Sequence, residues 1–367
     1  MKKIAIIVIF IVALALGGFL GFIITGFATM GSTQDSFNFY YEPSSPAPIE
    51  ELLLSADIGG VEIQYNTSNT PYYAQIEVSI AISGLFMTGK TYLDFLTPYT
   101  EWWDNSSSPA SFDLNVIPDV WFDPSHWFKS YNIDIKITLR TDVIYDIAAH
   151  IITGSLKMNV PENIILNNTL LHTTTGEVLL NTSSNTNFQG MLSVQSTTGK
   201  ASVIGEHTNY TNGFDSGTTT GSLLLNLENC VLGDDLTGIV TTGSITYNTD
   251  NLTFTQDSSI LLQSTTGSIY GNINQYVDLG ANITGVFGVT TGGIEITYIN
   301  DQANIGTKFS STYTTGSINY DYEPLEFNRI NGILTSSNYN SALYKYTFTL
   351  STVTGGITVD AESHHPI

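Results

Sequence analysis

A short tripeptide, Thr-Thr-Gly or Val-Thr-Gly, recurs eight times along the second half of the 367-residue chain. Neighbouring glycines of this motif are 22 to 25 residues apart, except for a final interval of 39. A period in this range is typical of proteins whose units stack on one another, because one such unit cannot bury its own apolar face. The repeated glycines are Gly176, Gly199, Gly221, Gly243, Gly267, Gly292, Gly316 and Gly355, and Ile152-Thr-Gly154 is one further copy.

Each repeat contains three short β-rich runs separated by Asp, Asn and Ser, as in residues 243–266. Three such runs cannot close a core alone, so the pattern predicts that equivalent strands pair in parallel and stack their inward side chains. The glycine is predicted to supply a sharp corner in every coil, since a Cβ disfavours a positive φ. The predicted apolar column is Val178, Ala201 or Val203, Leu223, Ile245, Ile269, Ile294, Ile318 and Ile357.

The predicted fold is therefore all-β: a single-stranded parallel β-helix, or solenoid, of about nine coils of 22–25 residues over residues 51–360. Only 12% of the residues are charged, and no stretch after residue 30 has sustained helical periodicity. The threonines before each glycine are interpreted as part of the corner. An exposed threonine array that binds a ligand is the alternative.

The N-terminal segment indicates a membrane. Ile4 to Phe27 contains no charge, and as a helix it would extend about 36 Å, enough to cross a bilayer. We predict a transmembrane signal-anchor over residues 1–28 and a linker over 29–50, with a cleaved signal peptide as the alternative. Lys2 and Lys3 predict a cytoplasmic N-terminus and a single-pass protein with the bulk of its chain extracellular.

The charge excludes several partners. The chain carries 33 acidic and 11 basic side chains, a formal net charge of −22, which repels nucleic acid. Sequons that follow the predicted span make it a candidate glycoprotein. The candidate glycosylation sites are Asn66, Asn105, Asn167, Asn181, Asn209, Asn251 and Asn282.

Two segments interrupt the repeat. Residues 85–128 hold all four tryptophans of the chain, and residues 322–346 add a hairpin before a tail at 361–367. The first insertion is predicted to cap the open end of the β-helix; a platform for a sugar or protein and a contact with the bilayer are the alternatives. The candidate platform residues are Tyr99, Trp102, Trp103, Trp121 and Trp127.

The sequence contains no assembled catalytic constellation. Asp234-Asp235 is the only paired-Asp turn within the repeats, and a hydrated turn explains it better than a calcium site. We find no zinc-ligand spacing and no phosphate loop, so no catalytic residue, metal or cofactor is predicted. The single cysteine, Cys230, is predicted to be a small buried apolar residue.

Three stretches together resemble a known family. They are residues 57–63 (Asp-Ile-Gly-Gly-Val-Glu-Ile), residues 156–166 around a Val-Pro dipeptide, and the recurrent Thr-Thr-Gly-Ser-Ile. They are similar to the putative-adhesin β-strand-repeat family, prokaryotic envelope proteins of unknown function. The resemblance covers about residues 52–84 and 131–360 and implies a β-helical, surface-exposed, non-enzymatic protein. Here Ser, Glu, Lys or Gly replaces the usual Asp after the glycine, and the Trp-rich insertion departs from the pattern.

These observations predict a non-enzymatic, adhesin-like binding or structural scaffold of the cell envelope, whose partner is an envelope glycan or protein. Two alternatives stay open. The solenoid ends could self-associate into filaments through unpaired strand edges. A polysaccharide-active β-helix enzyme is the other, with Asp234 as the carboxylate to test.

Overall fold

The computed structural model describes residues 21, 24–43, 46–66, 70–105, 109–117 and 129–363. These residues form one sheet of 24 strands with two single-turn 3₁₀ helices, Tyr92–Asp94 and Tyr99–Glu101. The strands are β1 (Gly31–Tyr41), β2 (Glu50–Asn66), β3 (Ala74–Gly84), β4 (Trp103–Asp104), β5 (Ala110–Leu114), β6 (Lys129–Arg140), β7 (Tyr145–Val160), β8 (Ile165–Thr182), β9 (Asn187–Phe188), β10 (Leu192–Glu206), β11 (Asn209–Tyr210), β12 (Phe214–Glu228), β13 (Val231–Leu232), β14 (Leu236–Thr242), β15 (Ile245–Asp250), β16 (Thr253–Phe254), β17 (Ser258–Thr266), β18 (Ile269–Gln275), β19 (Ile283–Thr291), β20 (Ile294–Asn300), β21 (Ile305–Tyr322), β22 (Phe327–Ile330), β23 (Ile333–Ser336) and β24 (Tyr344–Ser363).

Successive repeats pair in parallel, glycine on glycine, through β7, β8, β10 and β12. Beyond β12 each repeat is divided at its corner into two strands, whereas the long β21 and β24 again run through their corners. The strands before the corner and the strands after the corner therefore separate beyond β12 and join again in β24. Eight strands close into a ring through parallel pairings, in the order β12, β14, β17, β19, β24, β20, β18 and β15.

The prediction of a single-stranded solenoid preceded by a transmembrane helix is therefore wrong. Besides the closed ring, the N-terminal part is mixed: β3 pairs antiparallel with both β1 and β6, whereas β2 pairs in parallel with β5, β6 and β7. The tripeptide is absent from β1, β3, β5 and β6, whereas β2 and β7 extend the glycine stack, with Gly59 paired to Gly154. Strand β1 occupies residues 31–41 of the predicted linker.

The C-terminal strand breaks the chain order of the repeats. Strand β24 pairs with β19 and β20 on one side and with β21 on the other, so it is inserted between repeats that are consecutive in sequence. The predicted hairpin at 322–346 forms as β22 and β23, which pair antiparallel with each other, and β23 also pairs with residues 308–310 of β21. The repeat that contains Gly316 consequently lies outermost, although the repeat that contains Gly355 comes later in the sequence.

The predicted transmembrane segment, residues 1–28, lies mostly outside the described residues. Of that segment, residues 24–28 are helical. Within the part of the chain that the structure describes, no helix has the length and apolar character needed to cross a membrane. The predicted single-pass topology and cell-membrane location are corrected on this finding.

Stacked side chains fill the core as the sequence indicates. The pairing register aligns Val178, Ala201 and Leu223, so Ala201 rather than Val203 continues the column, and the column ends at Ile357 and Ile318. All of these are buried except Ile318 in the outermost repeat, which is partly exposed. Parallel strands with inward β-branched and leucine side chains account for this packing.

The corner glycines are required by a close approach of backbones. Gly221 has φ +142°, and a Cβ added there would lie 1.6 Å from the carbonyl oxygen of Gly199 in the repeat below. The same approach, 1.5 to 1.8 Å, recurs from Gly154 to Gly355. No residue with a Cβ fits at these positions.

The two residues before each corner glycine, usually both threonine, face outward, and in the inner repeats the residue that precedes them faces inward. In one repeat Thr197 and Thr198 are exposed, whereas the Ser196 hydroxyl is buried and donates to the Gly176 carbonyl at 3.0 Å. Ser264 donates likewise to Gly243 at 2.9 Å. The inward hydroxyl thus satisfies a corner carbonyl, and the threonine pair faces the surface.

A second corner, which the sequence reasoning missed, is built from asparagine. Residues at a spacing of 22 adopt a left-handed conformation: Asn163, Asn185, His207, Asn229 and Asn251, with φ between +46° and +65°. Asn185 donates its side-chain amide to the Asn163 oxygen at 3.2 Å, and Asn251 donates to Asn229 at 3.1 Å. The signal available in the sequence was an Asn eight or nine residues after the glycine in four of five repeats.

Replacing His207 by asparagine is expected to stabilise the protein by about 1 kcal/mol, because Asn tolerates the left-handed region and a side-chain amide would join the two separated asparagine pairs. The midpoint of urea unfolding measures the effect. Asn229→His in the same ladder is the matched reverse change and is expected to destabilise. Equal midpoints for His207→Asn and the wild type would contradict the account.

Candidate functional site

The face that precedes the glycine corner is the candidate site, and we call it the lateral face. It consists of the outward side chains of β7, β8, β10, β12, β14, β17, β19 and β24 just before their glycines. Residues four before each glycine form one column, which runs through His150, His172, Gln195, Gly217 and Ile239. Because neighbouring strands are about 4.8 Å apart, equivalent side chains recur at that interval.

Glycine in this column opens a groove. Gly217 lies between Gln195 and Ile239 and contributes no side chain, and a Cβ there would lie 2.4 Å from the Ile239 carbonyl oxygen. A groove of about 700 Å³, lined by its neighbours Gln195, Ser216, Thr218 and Ile239 among others, lies over this position. Its outward lining is mostly hydroxyl and amide groups: Ser193, Gln195, Thr197, Thr219, Thr237 and Thr241.

A second hollow repeats the same arrangement farther along the face. Gly288 occupies the equivalent position of the column, between Gln263 and Ser351, and a hollow of about 430 Å³ lies beside it. Thr265 and Thr290 border this hollow as Thr197 and Thr219 border the first. The two hollows therefore share one register and one set of polar groups.

A pair of histidines bounds the groove at its N-terminal side. The rings of His150 and His172 stack with centroids 4.7 Å apart and planes 5° from parallel. Their Nε2 atoms lie 3.2 Å and 3.3 Å from the hydroxyls of Thr174 and Thr197. Burial, together with the neighbouring His150, lowers the pKa of His172. A positive charge on His172 is disfavoured by its burial and by the stacked His150 ring.

Beyond the histidines the face becomes apolar. Leu53 is 43% exposed and Met191 is 51% exposed, and with Ala148 and Leu170 they line a hollow of about 370 Å³. The lateral face thus passes from an apolar end to a hydroxyl-rich groove. No basic side chain lines the described groove or this hollow.

The predicted aromatic platform lies elsewhere and is largely packed. Trp102 is 1% exposed, its Nε1 donates to the Thr97 hydroxyl at 2.9 Å, and its ring meets the edges of Phe37 and Tyr92. Trp103 is partly buried against the core, and Tyr99 is 44% exposed. Trp121 and Trp127 lie outside the described residues. The described part of the insertion packs over the N-terminal strands as a cap.

The other candidate residues have structural surroundings. The Asp235 carboxylate accepts the Ser259 backbone N–H at 2.7 Å, and Asp234 accepts that of Asp235 at 2.9 Å. Among the described residues no group of three or more His, Cys, Asp or Glu is placed to hold a metal ion. Cys230 is fully buried, and burial raises the pKa of its thiol to about 12.

The sequons differ in exposure. Asn66, Asn105, Asn181 and Asn282 are exposed, whereas the remaining three are partly buried. Asn282 is also engaged, since it donates to Asp257 and accepts from the Lys345 backbone N–H.

Comparison with known proteins gives little. No family model matches the chain, and no curated protein matches it. Two solved structures align at 11% identity. One is a putative cell adhesion protein from Clostridium sporogenes, with 89% of this chain and 99% of that chain covered and a TM-score of 0.20. The other is a putative adhesin from Parabacteroides distasonis, with 89% and 96% covered and a TM-score of 0.27. Both proteins are named as adhesion proteins. Matches with TM-scores this low support no conclusion about the fold or the function of this chain.

Proposed function

We propose that the protein is a non-enzymatic, adhesin-like binding protein whose lateral face holds an extended, uncharged, hydroxyl-rich polymer, of the class of neutral glycan strands. The observation that carries the proposal is the pair of hollows at Gly217 and Gly288, set in one register and bordered by the same threonine columns. A ligand with repeating polar units meets the same protein groups at each step.

The chemistry of the lining favours such a ligand. Threonine, serine and glutamine side chains donate and accept hydrogen bonds without carrying charge. Asp215 is the one ionisable side chain among the groove residues other than His172, and no cation is present to hold a phosphate or uronate. A chain of net charge −22 also repels polyanions over the whole surface.

The rigidity of the face supports the binding role. Thr197 and Thr219 lie within strands that are paired on both sides, so little side-chain or backbone freedom is lost when a ligand binds. The groove is shallow and open, so a long polymer can lie in it without being enclosed. The apolar end at Leu53 and Met191 makes the two ends of the lateral face chemically different. A ligand with one less polar end is favoured to bind with that end beside Leu53 and Met191.

Removal of two groove hydroxyls tests the proposal. Thr197→Val with Thr219→Val keeps shape and removes two hydrogen-bonding groups, and we expect about tenfold or greater loss of affinity for neutral polysaccharides, measured with the full chain by isothermal titration calorimetry. The matched control is Thr246→Val with Thr358→Val, on the strands that follow the corner.

Three outcomes decide the proposal. Loss of affinity in the groove variant alone supports it. Equal affinity of both variants and the wild type would remove the groove from the binding site. Shortening of the polysaccharide during the titration, detected by chromatography of the ligand, would overturn the non-enzymatic reading.

A further inference from the structure

The outermost strand of the C-terminal end has an unpaired edge. Strand β21 pairs with β24 along its whole length, but on its other side the described structure pairs it only at residues 308–310, with β23. Along the edge from Ser311 to Tyr322 no second strand is paired in the described structure, so the outward-facing backbone N–H and C=O groups have no ladder partner. Such an edge is a template for another strand.

Burial along this strand shows that the end is uncovered. Tyr313 is 49% exposed, whereas its equivalents Thr352, Ser264 and Ser196 are 3% to 4% exposed in inner repeats. Residues 312–317 are all exposed. The hairpin β22–β23 covers the core behind the edge, because Phe327 and Leu334 are buried, but it leaves the edge itself open.

Exposed apolar side chains lie at the same end. Leu325 is 77% exposed and Ile330 is 68% exposed, and both belong to the segment that covers the core behind β21. Large apolar side chains beside an open strand edge indicate a contact surface rather than a free exterior.

The corner restricts what can lie on this edge. In each pair of stacked repeats, the carbonyl oxygen of the inner glycine points at the position where the outer glycine would carry a Cβ. Gly316 is the outermost glycine of this stack. A strand laid over Gly316 must therefore bend and must lack a Cβ there. This requirement selects a chain with the same glycine corner.

Strand β1, an edge strand of the N-terminal part, does not meet this requirement. It pairs only with β3 among the described strands, and its one glycine, Gly31, is its first residue. Gly59, the N-terminal glycine of the stack, is covered as well. A Cβ added to Gly59 would lie 2.8 Å from the carbonyl oxygen of Ile133. Head-to-tail stacking is thus blocked, and the like edge of a second copy remains.

We propose that two copies of this chain associate face to face through β21, with the edge Ser311–Tyr322 of one copy antiparallel to the same edge of the other and Leu325 and Ile330 packed across the contact. A twofold contact uses the same surface on both partners, so it closes as a dimer and does not propagate. The proposal does not rest on the proposed function, although residues 312–314 of this edge also border the second hollow of the lateral face.

The test is the mass of the full chain in solution, by sedimentation equilibrium at concentrations on the order of 10 µM. We expect a dimer for the wild type and a monomer for Leu325→Lys with Ile330→Lys. The unfolding midpoint of the variant is expected to equal that of the wild type diluted to its monomer, because both side chains are exposed in the single chain. The matched control, Ile239→Lys with Tyr270→Lys, changes two exposed apolar side chains away from this end and is expected to stay dimeric.

Hydrogen exchange locates the contact. We expect amides of residues 311–322 to be slower in the wild type than in the Leu325→Lys, Ile330→Lys variant. A monomeric wild type, a dimer that persists in that variant with fast exchange over 311–322, or open-ended oligomers would each overturn the proposal.

Discussion

Gly221→Ala is expected to destabilise the protein by about 4 kcal/mol or more, or to prevent folding altogether. The added Cβ would lie 1.6 Å from the Gly199 carbonyl oxygen, and φ +142° is strained for any residue with a side chain. Relief requires that the backbones of two repeats separate, which breaks the hydrogen bonds on both sides of the corner. The free energy of unfolding in urea measures the loss.

The control for this variant is Gly288→Ala. Gly288 has no positive φ in the restricted range, and the nearest atom to an added Cβ is the Ser351 hydroxyl at 3.5 Å. We expect a change within about 1 kcal/mol. If Gly221→Ala folded with the stability of Gly288→Ala, the close approach at the corner would be refuted.

Trp102→Ala is expected to cost about 3–5 kcal/mol, the range for removal of a large aromatic side chain from a packed core. The ring is 1% exposed and lies 5.3 Å from Phe37 and 5.9 Å from Tyr92, centroid to centroid, so its loss leaves a cavity under the N-terminal strands. The Thr97 hydroxyl also loses its donor. Urea unfolding of the purified full chain gives the value.

Tyr99→Ala serves as the comparison. Tyr99 stacks on Phe37 at 4.9 Å but is 44% exposed, and we expect a loss of about 1 kcal/mol. Polysaccharide binding by folded Trp102→Ala is expected to equal that of the wild type. Weakened binding at unchanged stability would restore the aromatic platform as the ligand site.

The period of the sequence predicted the parallel pairing and the apolar column correctly. Each repeat contains the tripeptide once. Aligning the repeats on it is enough to place Leu223 beside Ala201. The position of β24 could not be predicted in this way. Its sequence fits the stack between β19 and β21 as well as it fits beyond β21, so spacing cannot distinguish the two arrangements.

The candidate site was harder to predict because its signal is a missing side chain. Gly217 and Gly288 lie outside the repeated tripeptide, and nothing in a single sequence separates a glycine that opens a groove from one in a turn. The tryptophans drew attention because aromatic residues are common in binding sites, yet Trp102 has the burial of a core residue. The asparagine corner was readable from its spacing of 22, since Asn favours the left-handed region.

The out-of-order position of β24 affects when the fold can be completed. Residues 305–322 leave the ribosome before residues 344–363, yet they have no partner strand in the stack until the later segment pairs with β19 and β20. The inner repeats can assemble as they emerge, each on its predecessor. The outermost repeat must wait until β24 is synthesised, and in that interval the β19–β20 edge stays open to chaperones or to premature association.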